Sequence, residues 1–187
     1  MDASTLKSKI ASFDITINTD PPKASRFAFK QFMGIDLPHY MCIRGGYFFE
    51  DVLKNMVAVS TDCTLVAKKF LGHKQIDLLF INKKTMAIYY FEVRTNIDND
   101  TEKKPATAGK IEEVRKHISS MGEYAKYHLI HGVLVPTNVD ESGVNYGANT
   151  KAYSFDDFLG FIGVKHTNSE LQEIVKSVRK LYTDQLG

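Results

Sequence analysis

The chain reads as an α/β protein built on a mixed central sheet. Two observations carry this. Three short β-prone segments separated by turn residues lie between Thr64 and Arg94, and a helix-length segment then leads to an aliphatic run at Tyr127–Val135. Strand, helix and strand in that order have the length of a right-handed crossover, so the last strand is expected parallel to the third strand of an antiparallel meander, with helices flanking the sheet.

The elements follow in order. Short helices are expected around Thr5–Ser12 and, after the breaker Asp20-Pro21-Pro22, around Ala24–Met33. After Arg44-Gly45-Gly46, Tyr47–Val59 places Phe49, Val52, Leu53 and Met56 on one helical stripe. Thr64–Leu71, Gln75–Ile81 and Met86–Arg94 are the meander, with turns at Gly72-His73 and Asn82-Lys83-Lys84. The crossover helix covers Thr107–Met121, with Ile111, Val114, Ile118 and Met121 on one face. After Tyr127–Val135 come a polar loop (Thr137–Thr150), a strand at Lys151–Ser154 and a helix at Phe155–Ile162. A last helix opens on the capping box Thr167-Asn168-Ser169-Glu170. Its apolar stripe suits a core face better than a dimer seam.

Length and composition agree with one domain. The 187 residues are 43% hydrophobic and 25% charged, enough for a real core and too apolar for wholesale disorder. No apolar run approaches the about 18 residues that span a bilayer, and Met1-Asp2-Ala3-Ser4 lacks a signal-peptide pattern. Cys42 and Cys63 make no disulfide framework, so a cytoplasmic protein without a membrane partner is expected. A formal net charge of +2 permits nucleic-acid binding through local patches without announcing it.

Chemistry concentrates in Gln75-Ile76-Asp77-Leu78-Leu79-Phe80 and Tyr90-Phe91-Glu92-Val93-Arg94. A hairpin loop of about four residues, Lys83 to Met86, sets Asp77 directly across from Glu92. Side chains alternate along a strand, so Arg94 shares the face of Glu92. Two adjacent carboxylates repel unless a cation lies between them. A hard divalent cation such as Mg²⁺, held by Asp77, Glu92 and the Val93 main-chain carbonyl, meets that need. A metal held so polarises a phosphodiester and lowers the pKa of bound water.

A helix, a three-strand meander, a helix and a strand, with an acid in the second strand and Glu-x-Arg where Glu-x-Lys is expected in the third, resembles the PD-(D/E)xK nuclease superfamily from about Gly45 to Phe155. The resemblance implies a restriction-endonuclease-like core at 45–155, an N-terminal helical appendage at 1–44 and C-terminal helices at 156–187. It makes Asp77 and Glu92 the metal-binding acids and Glu50 an additional acid used by some members. It further implies a Mg²⁺-dependent type II restriction enzyme acting on double-stranded DNA as a homodimer, one site for each strand of a palindrome.

Two positions depart from the family pattern: Ile76 stands where proline is usual, and Arg94 stands where lysine is usual. Arginine stays protonated and donates in a fixed fork, so it is suited to holding the scissile phosphate and not to replacing an amine beside the attacking water. Either the enzyme works with arginine or Arg94 replaces a lysine; Lys74 and Lys110 are candidate substitutes for the amine.

Structural readings stand beside these. Glu50 and Lys54 make a favourable i,i+4 helix pair, and Arg94 neutralises Glu92 as a simple ion pair. Lys103, Lys104 and Lys110, with Arg115 and Lys116, suit a DNA-backbone rim diluted by Asp100, Glu102, Glu112 and Glu113. Asn96 and Asn138 lie on loops suited to base or sugar contacts. His128 and His131 should face opposite sides of their strand, and Tyr89-Tyr90-Phe91 should alternate between two buried layers. A junction-resolving or repair nuclease on the same core, and a catalytically silent DNA-binding module, are the alternative functions.

Overall fold

The computed structural model describes residues 1–15, 33–34, 39–67, 70–71, 73–94, 103–136 and 150–184. Its elements are α1 (Ala3–Ile10), α2 (His39–Val59), β1 (Cys63–Leu65), β2 (Phe70–Leu71), β3 (Lys74–Gln75), β4 (Leu78–Asn82), β5 (Ala87–Val93), α3 (Lys103–Ser120), β6 (His128–Leu134), β7 (Lys151–Tyr153), α4 (Phe155–Phe161) and α5 (Asn168–Asp184). The helix expected over Ala24–Met33 lies outside the described residues except for Met33, which is buried.

The five-stranded sheet has the order β1-β4-β5-β6-β7. The β1–β4 and β4–β5 pairs are antiparallel, while β5–β6 and β6–β7 are parallel. The mixed sheet expected from the sequence is therefore present, with β5 and β6 as a parallel pair connected through α3.

The first strand is a correction. Thr64–Leu71 reads as one strand, but only Cys63–Leu65 pairs with β4, and Phe70–Leu71 joins a separate two-stranded hairpin with β3. The cause is the length of β4: Leu65 already faces Phe80, and the Val66 N–H reaches Leu79 O, close to where β4 begins at Leu78. Phe70 and Leu71 pair with Gln75 and Lys74 instead.

Two helices also begin earlier than their sequence signals. The α2 helix runs through Gly45 and Gly46 from His39, because a buried Gly45 and the packed stripe behind it outweigh a helix penalty of about 1 kcal/mol per glycine. The α3 helix starts at Lys103, with Pro105 in its first turn, where the missing N–H has no intrahelical partner to lose. The capping box at Thr167 forms as expected: Thr167 N–H donates to Glu170 Oε2 at 2.7 Å and Glu170 N–H to Thr167 Oγ1 at 3.4 Å.

Alternation sorts the sheet into two faces. Leu78, Phe80, Tyr89, Phe91 and Val93 join α1, α2, α4 and α5 in the larger core, in which Leu6, Phe49, Val52, Leu53, Phe158 and Val178 are fully buried. Leu79, Ile88, Tyr90, Val133 and Val135 meet Ile111, Val114 and Ile118 of α3 on the other face. Tyr89-Tyr90-Phe91 thus divides between the layers as expected. Gly132 lies where β6 runs against β7, and a Cβ there would collide with the Lys151 carbonyl oxygen. Among the described residues, no helix is long and apolar enough to cross a membrane.

The β4–β5 turn fixes what the site inherits. Buried Asn82 donates to Phe161 O at 2.8 Å and accepts from the N–H groups of Lys84 and Thr85 at 3.0 and 3.1 Å. These bonds hold a four-residue loop, Lys83-Lys84-Thr85-Met86, whose last residue takes a left-handed conformation (φ 52°). With Asn82 paired to Ala87, the register is set for the whole hairpin.

Candidate active site

That register pairs Leu78 with Phe91, so one step further Asp77 lies across from Glu92, as the sequence requires. The antiparallel ladder ends here, which frees the Val93 N–H to donate to Asp77 Oδ2 at 3.1 Å. Asp77 is 7% exposed and Glu92 fully buried, a costly placement for two acids unless cations meet them.

Two cations do. Arg94, on the Glu92 face, places Nη2 at 3.0 Å from Glu92 Oε2 and Nη1 at 3.5 Å from Asp77 Oδ2. Lys110, from the second turn of α3, brings Nζ to 2.7 Å from the Glu92 carboxylate and 3.8 Å from Asp77 Oδ1. Tyr90 shares the face of Glu92 two residues earlier, and its buried hydroxyl donates to Glu92 Oε1 at 2.6 Å. Burial and the Asp77 charge push the Glu92 carboxyl above the usual range, opposed by the hydrogen bonds of Lys110 and Tyr90. Burial and Glu92 together raise the Tyr90 phenol, keeping it a donor.

Glu50 approaches from α2. Its pKa is lifted to about 7, first by burial and then by the Asp77 charge, with Lys54 at 3.7 Å opposing. The i,i+4 pair with Lys54 and proximity to the site therefore coexist. A carboxyl raised in the folded state favours folding below its unfolded pKa, and that advantage is lost as pH rises through about 7. We expect Glu50→Gln to match the wild type near pH 4.5 and to exceed it at pH 8 by up to about 3 kcal/mol, read by urea unfolding at both pH values. Equal pH dependence of the two proteins would show that Glu50 ionises freely.

The donor set suits a hard divalent cation. Asp77 and Glu92 carboxylates and the Val93 carbonyl are all oxygen, as Mg²⁺ prefers when water and phosphate complete its shell. No group of three His, Cys, Asp or Glu side chains able to hold a metal occurs among the described residues, so any ion here would rest on two acids and a carbonyl.

The chain matches no family model, curated protein or solved structure.

The remaining sequence candidates fall apart from this cluster. Lys74 pairs with Glu113 at 3.3 Å, beside His73. Arg115 and Lys116 both contact Glu112, at 2.7 and 3.7 Å, so acids on the same helix absorb that part of the basic rim. Lys110, offered by the sequence both for this rim and as a candidate amine, is inside the carboxylate cluster. Lys104 is half-buried on the first turn of α3, next to the helix-opening residue Lys103. Asn96 and Asn138 lie outside the described residues. Tyr90, expected only as a buried aromatic, also bonds Glu92, and its position two residues before that acid on one strand is the signal in the sequence.

Proposed function

We propose that this protein is a Mg²⁺-dependent endonuclease that hydrolyses double-stranded DNA at defined sequences, on a restriction-endonuclease-like core. The observation that carries the reading is the meeting of Asp77, Glu92 and Lys110 at the open end of the β4–β5 hairpin. Two acids, each within about 4 Å of both an amine and a guanidinium, match the needs of phosphodiester hydrolysis.

Asp77, Glu92 and the Val93 carbonyl would hold the ion, which when bound supplies Lewis-acid polarisation of the phosphate and a more acidic water. Lys110 is the amine that Arg94 cannot be: a compact ammonium, here anchored by Glu92, able to orient the attacking water and offset developing charge. Arg94, whose fork matches phosphate geometry, binds the non-bridging oxygens of the scissile group. Lys103 and Lys104, with Asn96 and Asn138, are the proposed backbone and base contacts, and a homodimer would deliver one site to each strand.

The test is cleavage of long unmethylated duplex DNA with Mg²⁺. Discrete fragments are expected from the wild type and at least about a 100-fold slower reaction from Asp77→Ala. A fixed-position double cut supports sequence-specific cleavage, whereas cutting confined to branched substrates would favour a junction-resolving enzyme. Arg94 across both acids favours one second reading, a silent DNA-binding module, which requires duplex binding and no cleavage by any variant.

A further inference from the structure

Every oxygen assigned to the metal already has a cation. Arg94 Nη1 donates to the Val93 carbonyl at 3.1 Å and lies 3.5 Å from Asp77 Oδ2, while Nη2 donates to Glu92 Oε2 at 3.0 Å. One guanidinium thus spans the donor set. A second cation, Lys110, meets both acids from α3 and has no bond to the Val93 carbonyl. The two positive charges balance Asp77 and Glu92, so a divalent ion added beside both would overcharge the pair.

The two cations are not held alike. Lys110 reaches Glu92 at 2.7 Å, a strong charge-assisted bond, and its side chain is 21% exposed. Arg94 is 31% exposed at the mouth, and its 3.5 Å approach to Asp77 is at the limit of a hydrogen bond. The guanidinium is the weaker and more accessible of the two, with bulk solvent beside it. It is also the group best shaped to leave for a phosphate, which offers the same bidentate acceptor geometry as a carboxylate.

We infer that Arg94 is the resident counter-cation of the metal position, and that a divalent ion enters only as the guanidinium leaves. The inference rests on the proposed metal site and adds its regulation. Without DNA, Arg94 holds the acids and the site has low metal affinity. A phosphate at the mouth draws the guanidinium outward and uncovers Asp77 Oδ2, Glu92 Oε2 and the Val93 carbonyl together. Metal loading is then coupled to DNA binding, and the DNA-free protein is kept from acquiring an active centre. A permanent structural ion pair predicts the opposite, because removing it would leave the acids less well organised for any ion.

The experiment is calorimetric titration of the DNA-free full chain with Mn²⁺, comparing wild type, Arg94→Met and Arg94→Met/Asp77→Ala, with folding checked by circular dichroism. Arg94→Met is expected to bind Mn²⁺ at least tenfold more tightly than the wild type, and the added Asp77→Ala to remove that gain. Arg94→Lys keeps the charge but cannot span three oxygens; it is expected to bind at least threefold more tightly and decides the matter if the methionine variant does not fold. Equal or weaker Mn²⁺ affinity in the Arg94 variants, still lost on Asp77→Ala, would overturn the role of Arg94 and leave the metal site standing. Mn²⁺ binding that ignores Asp77 in every background would instead remove the metal site, and the inference with it.

Discussion

On the proposed nuclease function, Lys110→Met should slow DNA cleavage by at least about 100-fold under single-turnover conditions while leaving duplex affinity within about tenfold of the wild type. Methionine keeps most of the aliphatic stem and removes the ammonium. The size of the effect follows from the division of labour between the two cations. Lys110 Nζ lies 2.7 Å from Glu92 and 3.8 Å from Asp77, within reach of a water that bound between the acids. Arg94, fully protonated and delocalised, is suited to the phosphate but not to this position. Arg94→Lys is therefore not expected to rescue Lys110→Met completely, since an amine entering from β5 approaches the acids from another side. Wild-type cleavage by Lys110→Met would assign the whole cationic role to Arg94 and reduce Lys110 to a structural counter-ion.

Glu92→Ala should destabilise the fold by about 3–5 kcal/mol, the range for removing one partner of a buried ion pair. Glu92 is fully buried and accepts from Tyr90, Arg94 and Lys110. Its loss orphans the Tyr90 hydroxyl inside the α3-facing core and leaves two cations against Asp77 alone. For a domain whose net stability is of order 5–15 kcal/mol, this is a large fraction. Glu92→Gln keeps an acceptor for Tyr90 and Lys110 and should cost about 1–3 kcal/mol. Urea unfolding of the three proteins distinguishes these values. A Glu92→Ala protein within about 1 kcal/mol of the wild type would mean that the acid is solvated and the cluster absent.

The two effects are separable because they draw on different properties of one cluster. Stability depends on charge balance in a dry environment, which Arg94 and Lys110 satisfy without an added ion. Catalysis depends on where each charge sits relative to a phosphate, which charge balance does not specify. A protein with this site can therefore fold well and still be inert if the amine is misplaced, and this is why Lys110→Met and Glu92→Ala answer different questions.

Much of this was legible in the residues themselves. Period-2 alternation in Tyr89-Tyr90-Phe91, turn residues at 82–86 and the capping box at Thr167 each act through local geometry, so the hairpin register and the convergence of Asp77, Glu92 and Arg94 could be read directly. What the sequence determined alone was the alternation of faces and the pairing of two acids. Tertiary structure decided the rest. The extent of β1 depended on how far β4 reached, and the start of α2 on packing strong enough to override two glycines. Which lysine joined the acids depended on how α3 lies over β5, a relation between residues 18 apart in the chain that no local spacing encodes. Lys74, nearer in sequence to Asp77, was drawn instead to Glu113, because side-chain partners are chosen by the packing of whole elements and not by distance along the chain.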